Sequence, residues 1–245
     1  MLPAEPMFSS RPVARNGFVG RPRGASMFVQ LYSLTHADDV RVLVELGVDN
    51  LGFAIGDQDV PARIPVERAR DLFDLVPDGH NTVALSVHTD PDAVVEFAHA
   101  VGPDVLHLCS PTDAIDSDTQ RRIRGRIPDG MAVMKAIDVD GPEAVAAAER
   151  FAPVSDYLIL DTATDEVTGV GASGETHDWS VSRTITERVE VPVVLAGGLG
   201  PDNVAEAIET VEPAGVDSYT RTSRTERRKD LEAVREFVRE VREAA

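Results

Sequence analysis

The sequence predicts a single-domain (β/α)8 barrel, in which eight parallel strands form a closed ring surrounded by eight helices. From Phe28 onward, short apolar runs alternate with stretches in which apolar residues recur every three to four positions. Eight such pairs follow one another in a chain of 245 residues, close to the ~250 residues typical of this barrel. An open doubly wound sheet is the alternative, but no Gly-x-Gly-x-x-Gly motif follows the first predicted strand.

Several predicted strands are apolar on both faces, as expected of parallel strands covered by helices. The runs TVALSV, YLILD and VPVVLA are the clearest examples. We predict strands near 28–33, 49–55, 82–88, 104–108, 131–137, 156–161, 192–196 and 214–219. Because barrel enzymes carry their chemistry at the carboxyl ends of the strands, the residues that close these runs are the candidates for a functional site.

The predicted helices are amphipathic, with apolar residues at positions i, i+3, i+4 and i+7 in DDVRVLVEL, DAVVEFAHAV and NVAEAIETV. We predict that the helices begin near 36, 65, 90, 115, 141, 178, 201 and 225. Thr35, followed by Asp38, is predicted to cap the first helix, and Pro201 is predicted to lie in the first turn of the seventh.

Residues 1–26 differ in composition from the rest of the chain. They contain four arginines, one glutamate and several prolines, and they show no helical periodicity. The segment lacks the apolar core of a secretory signal, so we interpret it as a disordered N-terminal extension. The barrel domain is predicted to span 27–245, with Met27 as its natural beginning.

The composition of the chain is strongly acidic. It has 42 acidic and 24 basic residues, a formal net charge of −18, and only two of the basic residues are lysines, Lys135 and Lys229. Such a surface repels nucleic acids and anionic membranes, so we expect neither as a partner. An acidic, lysine-poor surface suits a cytosol of high salt, where charges are screened within roughly 3 Å at 1 M. We therefore predict a halophilic protein, and an ordinary acidic protein from a GC-rich genome is the alternative.

Cysteine usage and hydropathy limit the class of protein further. The single cysteine, Cys109, excludes an internal disulfide and a multi-cysteine metal site. No long apolar run of the kind that spans a bilayer is present. Together with the lack of a secretory signal, these features predict a cytoplasmic protein.

Two predicted strand ends offer groups that bind anions. Strand seven ends in LAGGLGPDNV, where Gly197 and Gly198 let backbone N–H groups approach a phosphate closely; a plain tight turn is the alternative. Strand eight is followed by a basic cluster at the start of a predicted helix, where each cation opposes the helix dipole by about 0.3–1 kcal/mol. Either a bound phosphate or neighbouring acids such as Glu226 and Asp230 would compensate this charge. The cluster comprises Arg221, Arg224, Arg227, Arg228 and Lys229.

Strand six ends in YLILDTAT, which places Asp161 at the close of an apolar run. Partial desolvation there would raise the pKa of the carboxyl group toward the range of a general acid. The alternative is that Asp161 only caps the following loop. Its predicted place at the mouth of a barrel favours the catalytic interpretation.

Several of these segments resemble the phosphoribosylanthranilate isomerases, the barrel enzymes of tryptophan synthesis, from about Phe28 to the C-terminus. In the expected order they are GVDNLGFAI, VMKAIDV, LILD, GASGETHDW and LAGGLGPDNVAEAI, of which GASGETHDW and LAGGLGPDNV are the most specific. The resemblance implies an Amadori rearrangement of a phosphoribosyl amine, without a metal or an organic cofactor. It also implies that Asp161 protonates the ribose ring oxygen, and that Gly197, Gly198 and a loop after strand eight hold the phosphate.

The first predicted strand departs from this family at the catalytic base. Members carry a Lys-x-Cys-Gly motif whose cysteine removes the C2 proton, but this chain has Gln30, Tyr32 and Ser33 in those places. The reference pKa is about 10 for a phenol and about 8.5 for a thiol, so forming the phenolate costs roughly 2 kcal/mol more. We therefore interpret Tyr32 as a hydrogen-bond donor or an aromatic wall for the substrate, and a role as an altered base is the alternative.

Three further positions depart from the family. After strand eight, Tyr219, Thr220 and Arg221 replace a Ser-Ser-Gly phosphate loop, and we expect side chains there to bind the phosphate or a carboxylate. On strand four, HLCS replaces Gln-Leu-His-Gly, so Cys109 is either a relocated thiol base or a buried packing residue. Arg63 is slightly offset from the arginine that binds the substrate carboxylate in the family.

These departures leave three hypotheses. The chain is an isomerase of the family reaction that uses Asp161 and an altered base, a diverged barrel enzyme for another phosphosugar-like substrate, or a barrel that binds a ligand without catalysis. Both enzyme hypotheses expect a small phosphorylated molecule as the partner. A homodimer is an option, because the exposed helices of barrels often pair.

Overall fold

The computed structural model describes residues 27–139, 141, 143–162, 178–225 and 227–245. Eight parallel strands form a closed barrel in which each strand pairs with the next and the last pairs with the first. They are β1 (Phe28–Leu31), β2 (Asn50–Ala54), β3 (Asn81–Ser86), β4 (Val105–Leu108), β5 (Ala132–Asp138), β6 (Tyr157–Asp161), β7 (Val193–Leu195) and β8 (Gly215–Ser218). The barrel confirms the predicted fold class and excludes the open sheet. The extension at 1–26 and most of GASGETHDW lie outside the described residues, so the disorder of 1–26 stays a prediction.

The helices follow the strands around the ring. They are α1 (Ala37–Glu45), α2 (Val66–Phe73), α3 (Pro91–Val101), α4 (Ser117–Arg124), α5 (Glu143–Phe151), α6 (Trp179–Arg188), α7 (Val204–Val211) and α8 (Leu231–Ala244). A short 3-10 helix, Ala152–Val154, follows α5. Within the described ranges, none of these helices combines the length and the apolar character that a bilayer crossing requires.

The segment after β8 differs from the prediction of a helix that begins near 225. Helix α8 begins at Leu231, where the side chain of Asp230 caps it. Before it, Thr220–Thr222 form a 3-10 turn, and β9 (Ser223–Thr225) pairs with β10 (Arg228–Lys229) as an antiparallel hairpin. The basic cluster therefore lies on this turn and hairpin, and the predicted conflict with a helix dipole does not arise.

Two predicted helix starts are also corrected. His36, not Thr35, occupies the N-cap position of α1, and no side chain caps that end. Thr35 Oγ1 instead donates to the carbonyl oxygen of Arg227 at 2.7 Å, which joins the β1–α1 loop to the hairpin. Pro201 lies in a turn ahead of α7, which begins at Val204. In the first case a contact between residues far apart in sequence overrides the local capping signal.

The interior of the barrel is filled by side chains from alternate strand positions, as the period of two along each strand requires. The inward-facing cluster consists of Phe28, Tyr32, Val83, Val105, Cys109, Met134, Ala136, Tyr157, Ile159, Val194 and Ala196. Two glycines make room for its aromatic rings. A Cβ atom on Gly52 would lie 2.6 Å from the ring of Tyr32, and one on Gly215 would lie 2.6 Å from the ring of Phe28. Tyr32 therefore packs inside the barrel against β2.

Candidate active site

An open pocket lies at the carboxyl ends of β6, β7 and β8, where the barrel fold places catalysis. It is lined by Asp161, Gly197, Gly198, Leu199, Asp217, Ser218, Tyr219, Thr220 and Arg221. Five of the residues that the sequence singles out are thus brought together, namely Asp161, Gly197, Gly198, Thr220 and Arg221. The other three, Tyr32, Cys109 and Arg63, do not line this pocket.

The turn after β7 offers backbone donors to an anion. Gly197 and Gly198 have φ angles of 84° and 61°, in the left-handed region that glycine adopts without strain. Within the described residues, their amide groups have no hydrogen-bond partner. Asn203 fixes the turn, because its side chain accepts from the Gly200 amide at 2.8 Å and donates to the Gly198 carbonyl at 3.1 Å. Two free amides on a fixed turn suit a phosphate group.

Arg221 lies across the same turn. Its guanidinium donates to the Gly198 carbonyl at 3.2 Å and forms an ion pair with Asp202 at 2.5 Å. Gly200 leaves space for it, since a Cβ atom there would lie 2.9 Å from Arg221 Nε. The hydrogen bond from Arg221 holds the pKa of the Asp202 carboxyl below its usual range. The Arg221 side chain is 37% exposed, so a phosphate in the pocket can replace Asp202 as its partner.

Asp161, the last residue of β6, is the predicted general acid. Its Oδ1 accepts a hydrogen bond from the Thr162 amide at 2.8 Å. Burial, aided by repulsion from Asp138, raises the pKa of the carboxyl group to about 7, although the bond from Thr162 acts in the opposite direction. A carboxyl group with this pKa is partly protonated at neutral pH, as a general acid requires.

Asp217 on β8 is a candidate that the sequence patterns did not single out. Its side chain is buried, and its Oδ1 has no hydrogen-bond partner in the described part of the chain. Burial and repulsion from Asp161 raise its pKa to about 8, against the opposing effects of a hydrogen bond from Gln30 and the charge of Lys229. The available signal is GVDS, in which an aspartate follows an apolar strand run, as in YLILD.

Tyr32, His107 and Cys109 form a buried cluster in the barrel interior, close enough to Asp217 for its charge to act on Tyr32 and Cys109. The Tyr32 hydroxyl lies 2.6 Å from His107 Nδ1, and Cys109 Sγ lies 3.2 Å from His107 Nε2. Burial and the charge of Lys135 lower the pKa of His107 to about 3, so the ring is neutral. Burial raises the pKa of the Tyr32 hydroxyl and of the Cys109 thiol well above their usual values. Both groups stay protonated, which supports a hydrogen-bonding role for Tyr32 and a packing role for Cys109.

Arg63 lies on the loop after β2, at the same end of the barrel as the pocket. Its guanidinium donates to the Gln58 carbonyl at 3.2 Å and lies 3.9 Å from the Asp59 carboxylate. The hairpin reaches this loop, because Arg227 donates to the Arg63 carbonyl at 3.4 Å. The half-exposed guanidinium is accessible to a ligand at the mouth of the barrel, outside the pocket around Asp161.

The polar groups of the pocket suit proton transfer on an anionic molecule. They include two carboxyl groups, two free amides and one guanidinium. In the described part of the chain, no group of three or more His, Cys, Asp or Glu side chains is placed to hold a metal ion. Two carboxyl groups beside donors for an anion offer the chemistry of a paired acid and base.

Comparison with known proteins identifies relatives along nearly the whole barrel. The family model described as N-(5'phosphoribosyl)anthranilate (PRA) isomerase matches residues 29–240. The N-(5'-phosphoribosyl)anthranilate isomerase of Haloferax volcanii is 40% identical over 212 residues, which cover 86% of this chain and 90% of that protein. The protein of the same name from Methanocella arvoryzae is 33% identical over 216 residues, which cover 87% of this chain and 97% of that protein.

Solved structures agree with this relationship. The monomers made from the dimeric phosphoribosylanthranilate isomerase of Thermotoga maritima match with a TM-score of 0.73 at 25% identity, covering 89% of this chain and 99% of that one. A phosphoribosylanthranilate isomerase in complex with reduced 1-(o-carboxyphenylamino)-1-deoxyribulose 5-phosphate matches with a TM-score of 0.70 at 25% identity and the same coverage. The matches along the barrel show that this chain belongs to the N-(5'-phosphoribosyl)anthranilate isomerase family.

Proposed function

We propose that this chain catalyses the reaction for which its family is named, the aldose-to-ketose (Amadori) rearrangement of N-(5'-phosphoribosyl)anthranilate in tryptophan biosynthesis. The observation that carries the proposal is the pocket in which Asp161 meets the free amides of Gly197 and Gly198. The pocket combines a proton donor with an anion site. The substrate has a ring oxygen to be protonated and a phosphate to be held.

The phosphate is bound by backbone and side-chain groups together. The amides of Gly197 and Gly198 donate from one side, and Thr220 and Arg221 donate from the segment after β8. Arg221 supplies a guanidinium where the family has the close approach of a glycine backbone. Asp202 holds that guanidinium over the turn until the phosphate replaces it. Arg63, at the same mouth, is the candidate for binding the anthranilate carboxylate.

Asp161 supplies the proton that opens the ribose ring. Its raised pKa keeps a proton available near neutral pH, which an ordinary surface aspartate would have lost. As the ring oxygen takes this proton, the bond between C1 and that oxygen breaks. The nitrogen lone pair of the substrate then forms a C1=N bond, which makes the hydrogen on C2 acidic. A base other than the family's cysteine must remove that hydrogen, because Tyr32 occupies the position of this cysteine in the present chain.

The test is turnover of N-(5'-phosphoribosyl)anthranilate in molar KCl, followed by the change in fluorescence of the anthranilate compound. We expect Asp161→Asn to lower kcat by about 10²- to 10⁴-fold, the usual contribution of a general acid. Asp104→Asn is the matched control, because Asp104 is an exposed aspartate that binds Thr82 at the opposite end of the barrel. Lack of turnover by folded wild-type protein would reject the proposal, as would unchanged turnover by Asp161→Asn.

We also propose that the chain works as a homodimer in the cytoplasm. The dimeric state of the Thermotoga maritima relative supports the first part. The acidic, lysine-poor composition, which suits a cytosol of high salt, supports the second. Light scattering in molar KCl measures the mass of the particle, and a mass equal to that of one chain would reject the dimer.

A further inference from the structure

We infer that Asp217 is the general base that removes the C2 proton, in place of the cysteine that the family carries on its first strand. The inference rests on the proposed isomerase function and names the residue that this function leaves unassigned. Three features of the molecule support it: the lining of the pocket, the pairing of β8 with β1, and the charges around Asp217.

The lining of the pocket separates Asp217 from the other candidates for the base. Tyr32 occupies the position of the family's cysteine, but its hydroxyl lies 2.6 Å from His107 Nδ1 in the barrel interior. The thiol of Cys109 lies 3.2 Å from His107 Nε2 in the same cluster. Neither side chain lines the pocket, whereas the carboxyl groups of Asp161 and Asp217 both do. With Asp161 assigned as the acid, Asp217 is the remaining carboxylate among the described residues that line the pocket.

The pairing of strands places Asp217 beside the position that carries the base in the family. Strands β8 and β1 run parallel, with Gln30 opposite Asp217 and Leu31 opposite Ser218. The Tyr32 amide donates to the Ser218 carbonyl at 3.2 Å, so the two strand ends are in direct contact. Within the described residues, Asp217 Oδ1 is buried and has no hydrogen-bond partner. Such an oxygen is costly to the folded state, and a proton-accepting role gives it a function.

The groups around Asp217 act in both directions: burial and Asp161 oppose its ionised form, while Gln30 and Lys229 favour it. Burial raises the pKa values of both carboxyl groups, with added repulsion from Asp138 at Asp161 and from Asp161 at Asp217, so the two groups titrate at about 7 and about 8. In the free protein the higher pKa favours a proton on Asp217. In the inferred complex, the ring oxygen of the substrate accepts a hydrogen bond from Asp161 and so holds a proton on that residue, which leaves Asp217 free to ionise. The hydrogen bond from Gln30 and the charge of Lys229 then stabilise the negative charge on Asp217. This arrangement provides one acid and one base from two like groups.

The proposed step balances in protons and electrons. Asp161 gives its proton to the ring oxygen, the bond between C1 and oxygen breaks, and the nitrogen lone pair forms the C1=N bond. Asp217 takes the proton from C2, the C–H electron pair forms a C1=C2 bond, and the C1=N electron pair returns to nitrogen. The resulting enolamine gains a proton at C1 and loses the proton of its C2 hydroxyl to become the ketone. Through exchange with solvent, Asp217 releases its proton and Asp161 regains one.

The experiment combines a substitution with chemical rescue, using the full chain in molar KCl. We expect Asp217→Asn to lower kcat by about 10²- to 10⁴-fold with little change in KM, because the base acts on the bound substrate. We expect formate, but not additional chloride, to restore part of the turnover of Asp217→Ala, because a small carboxylate can occupy the space that the substitution opens. Asp104→Asn again serves as the control, and circular dichroism checks that each variant is folded.

The possible outcomes separate this inference from the proposed function. Unchanged turnover by Asp217→Asn would reject Asp217 as the base and leave the isomerase function in place. Loss of turnover in folded Asp217→Ala without rescue by formate would assign Asp217 a positioning role and also reject it as the base. If wild-type protein shows no turnover while it is folded, the proposed function fails, and the role of Asp217 fails with it.

Discussion

Asp161 carries a partly buried carboxyl group and Asp217 a buried one, and their polar partners only partly offset the loss of water. The Asp161 carboxyl accepts a hydrogen bond from the Thr162 amide, while the Asp217 carboxyl is stabilised by a hydrogen bond from Gln30 and by the charge of Lys229. Their pKa values of about 7 and about 8 exceed the value of about 3.9 expected in the unfolded chain. The folded protein therefore binds more protons than the unfolded chain between these values. The stability that these groups contribute is present at low pH and is lost as the pH rises through 7 and 8.

Asp217→Asn should therefore stabilise the protein at pH 8 and change its stability much less at pH 5. An amide at this position cannot ionise, so the folded state no longer carries a buried negative charge there. We expect a gain of about 2–4 kcal/mol in the free energy of unfolding at pH 8, since each unit of pKa shift corresponds to about 1.4 kcal/mol and coupling to Asp161 reduces the full effect. Urea unfolding in KCl at the two pH values measures the gain. A variant that is less stable than wild type at pH 8 would contradict it.

Single residues also show which part of the site the sequence can predict. Asp161 is predictable, because an aspartate at the end of an apolar strand stands out as a candidate acid. Asp217 has the same signal, but only the closed barrel shows that the ends of β6 and β8 reach one pocket. The sequence does not predict the directions of the Tyr32 and Cys109 side chains. Each residue lies near a strand end, where a side chain can point into the barrel or away from it. Packing against Gly52 and hydrogen bonding to His107 direct these side chains inward.

Among the elements, the strands follow from the sequence and the β9–β10 hairpin does not. Strand runs such as TVALSV, YLILD and VPVVLA are apolar on both faces, which favours a buried parallel strand over other structures. The segment TSRTERRKD is polar and rich in helix-forming arginine, so it resembles the start of a helix. A buried carboxylate in α1 decides the outcome. Asp39, only 1% exposed, accepts from Arg228 Nε and Nη2 at 3.1 Å and from the Lys229 amide at 3.2 Å.

Asp39→Ala should loosen this hairpin and weaken substrate binding. The substitution leaves the Lys229 amide and the Arg228 guanidinium without their acceptor, so we expect a loss of about 1–3 kcal/mol in stability. We also expect KM to rise, because the hairpin continues from the segment that carries Arg221. Asp38→Ala is the matched control, since exposed Asp38 in the same turn pairs with exposed Arg41, a contact that contributes at most about 1 kcal/mol. Thermal unfolding and turnover in KCl test both variants, and equal losses in the two would contradict the role given to Asp39.

The whole molecule combines an acidic surface with a pocket that we propose binds an anion. The formal net charge of −18 repels a phosphorylated, carboxylated substrate at long range. Arg221 and the basic hairpin place positive charge beside the pocket, where it offsets this repulsion locally. The alternation of strands and helices predicts the barrel and the end that carries the site, and the composition predicts the surface charge. Neither predicts that the basic cluster after β8 folds as a hairpin, because contacts across the folded chain determine its conformation.

The same charge should make the stability of the protein depend on salt. In dilute buffer the acidic groups repel one another over about 10 Å, and molar salt reduces this range to about 3 Å. We expect the Tm to rise by about 5–10 °C between roughly 0.2 and 3 M KCl, since each kcal/mol corresponds to about 2–4 °C for a chain of this size. A variant in which the exposed acids Asp71, Asp74 and Asp78 become asparagine should have a higher Tm at low salt and a smaller rise with KCl. Calorimetry of both proteins at several salt concentrations measures the two slopes. Equal slopes would show that the salt acts through something other than repulsion among the acidic side chains.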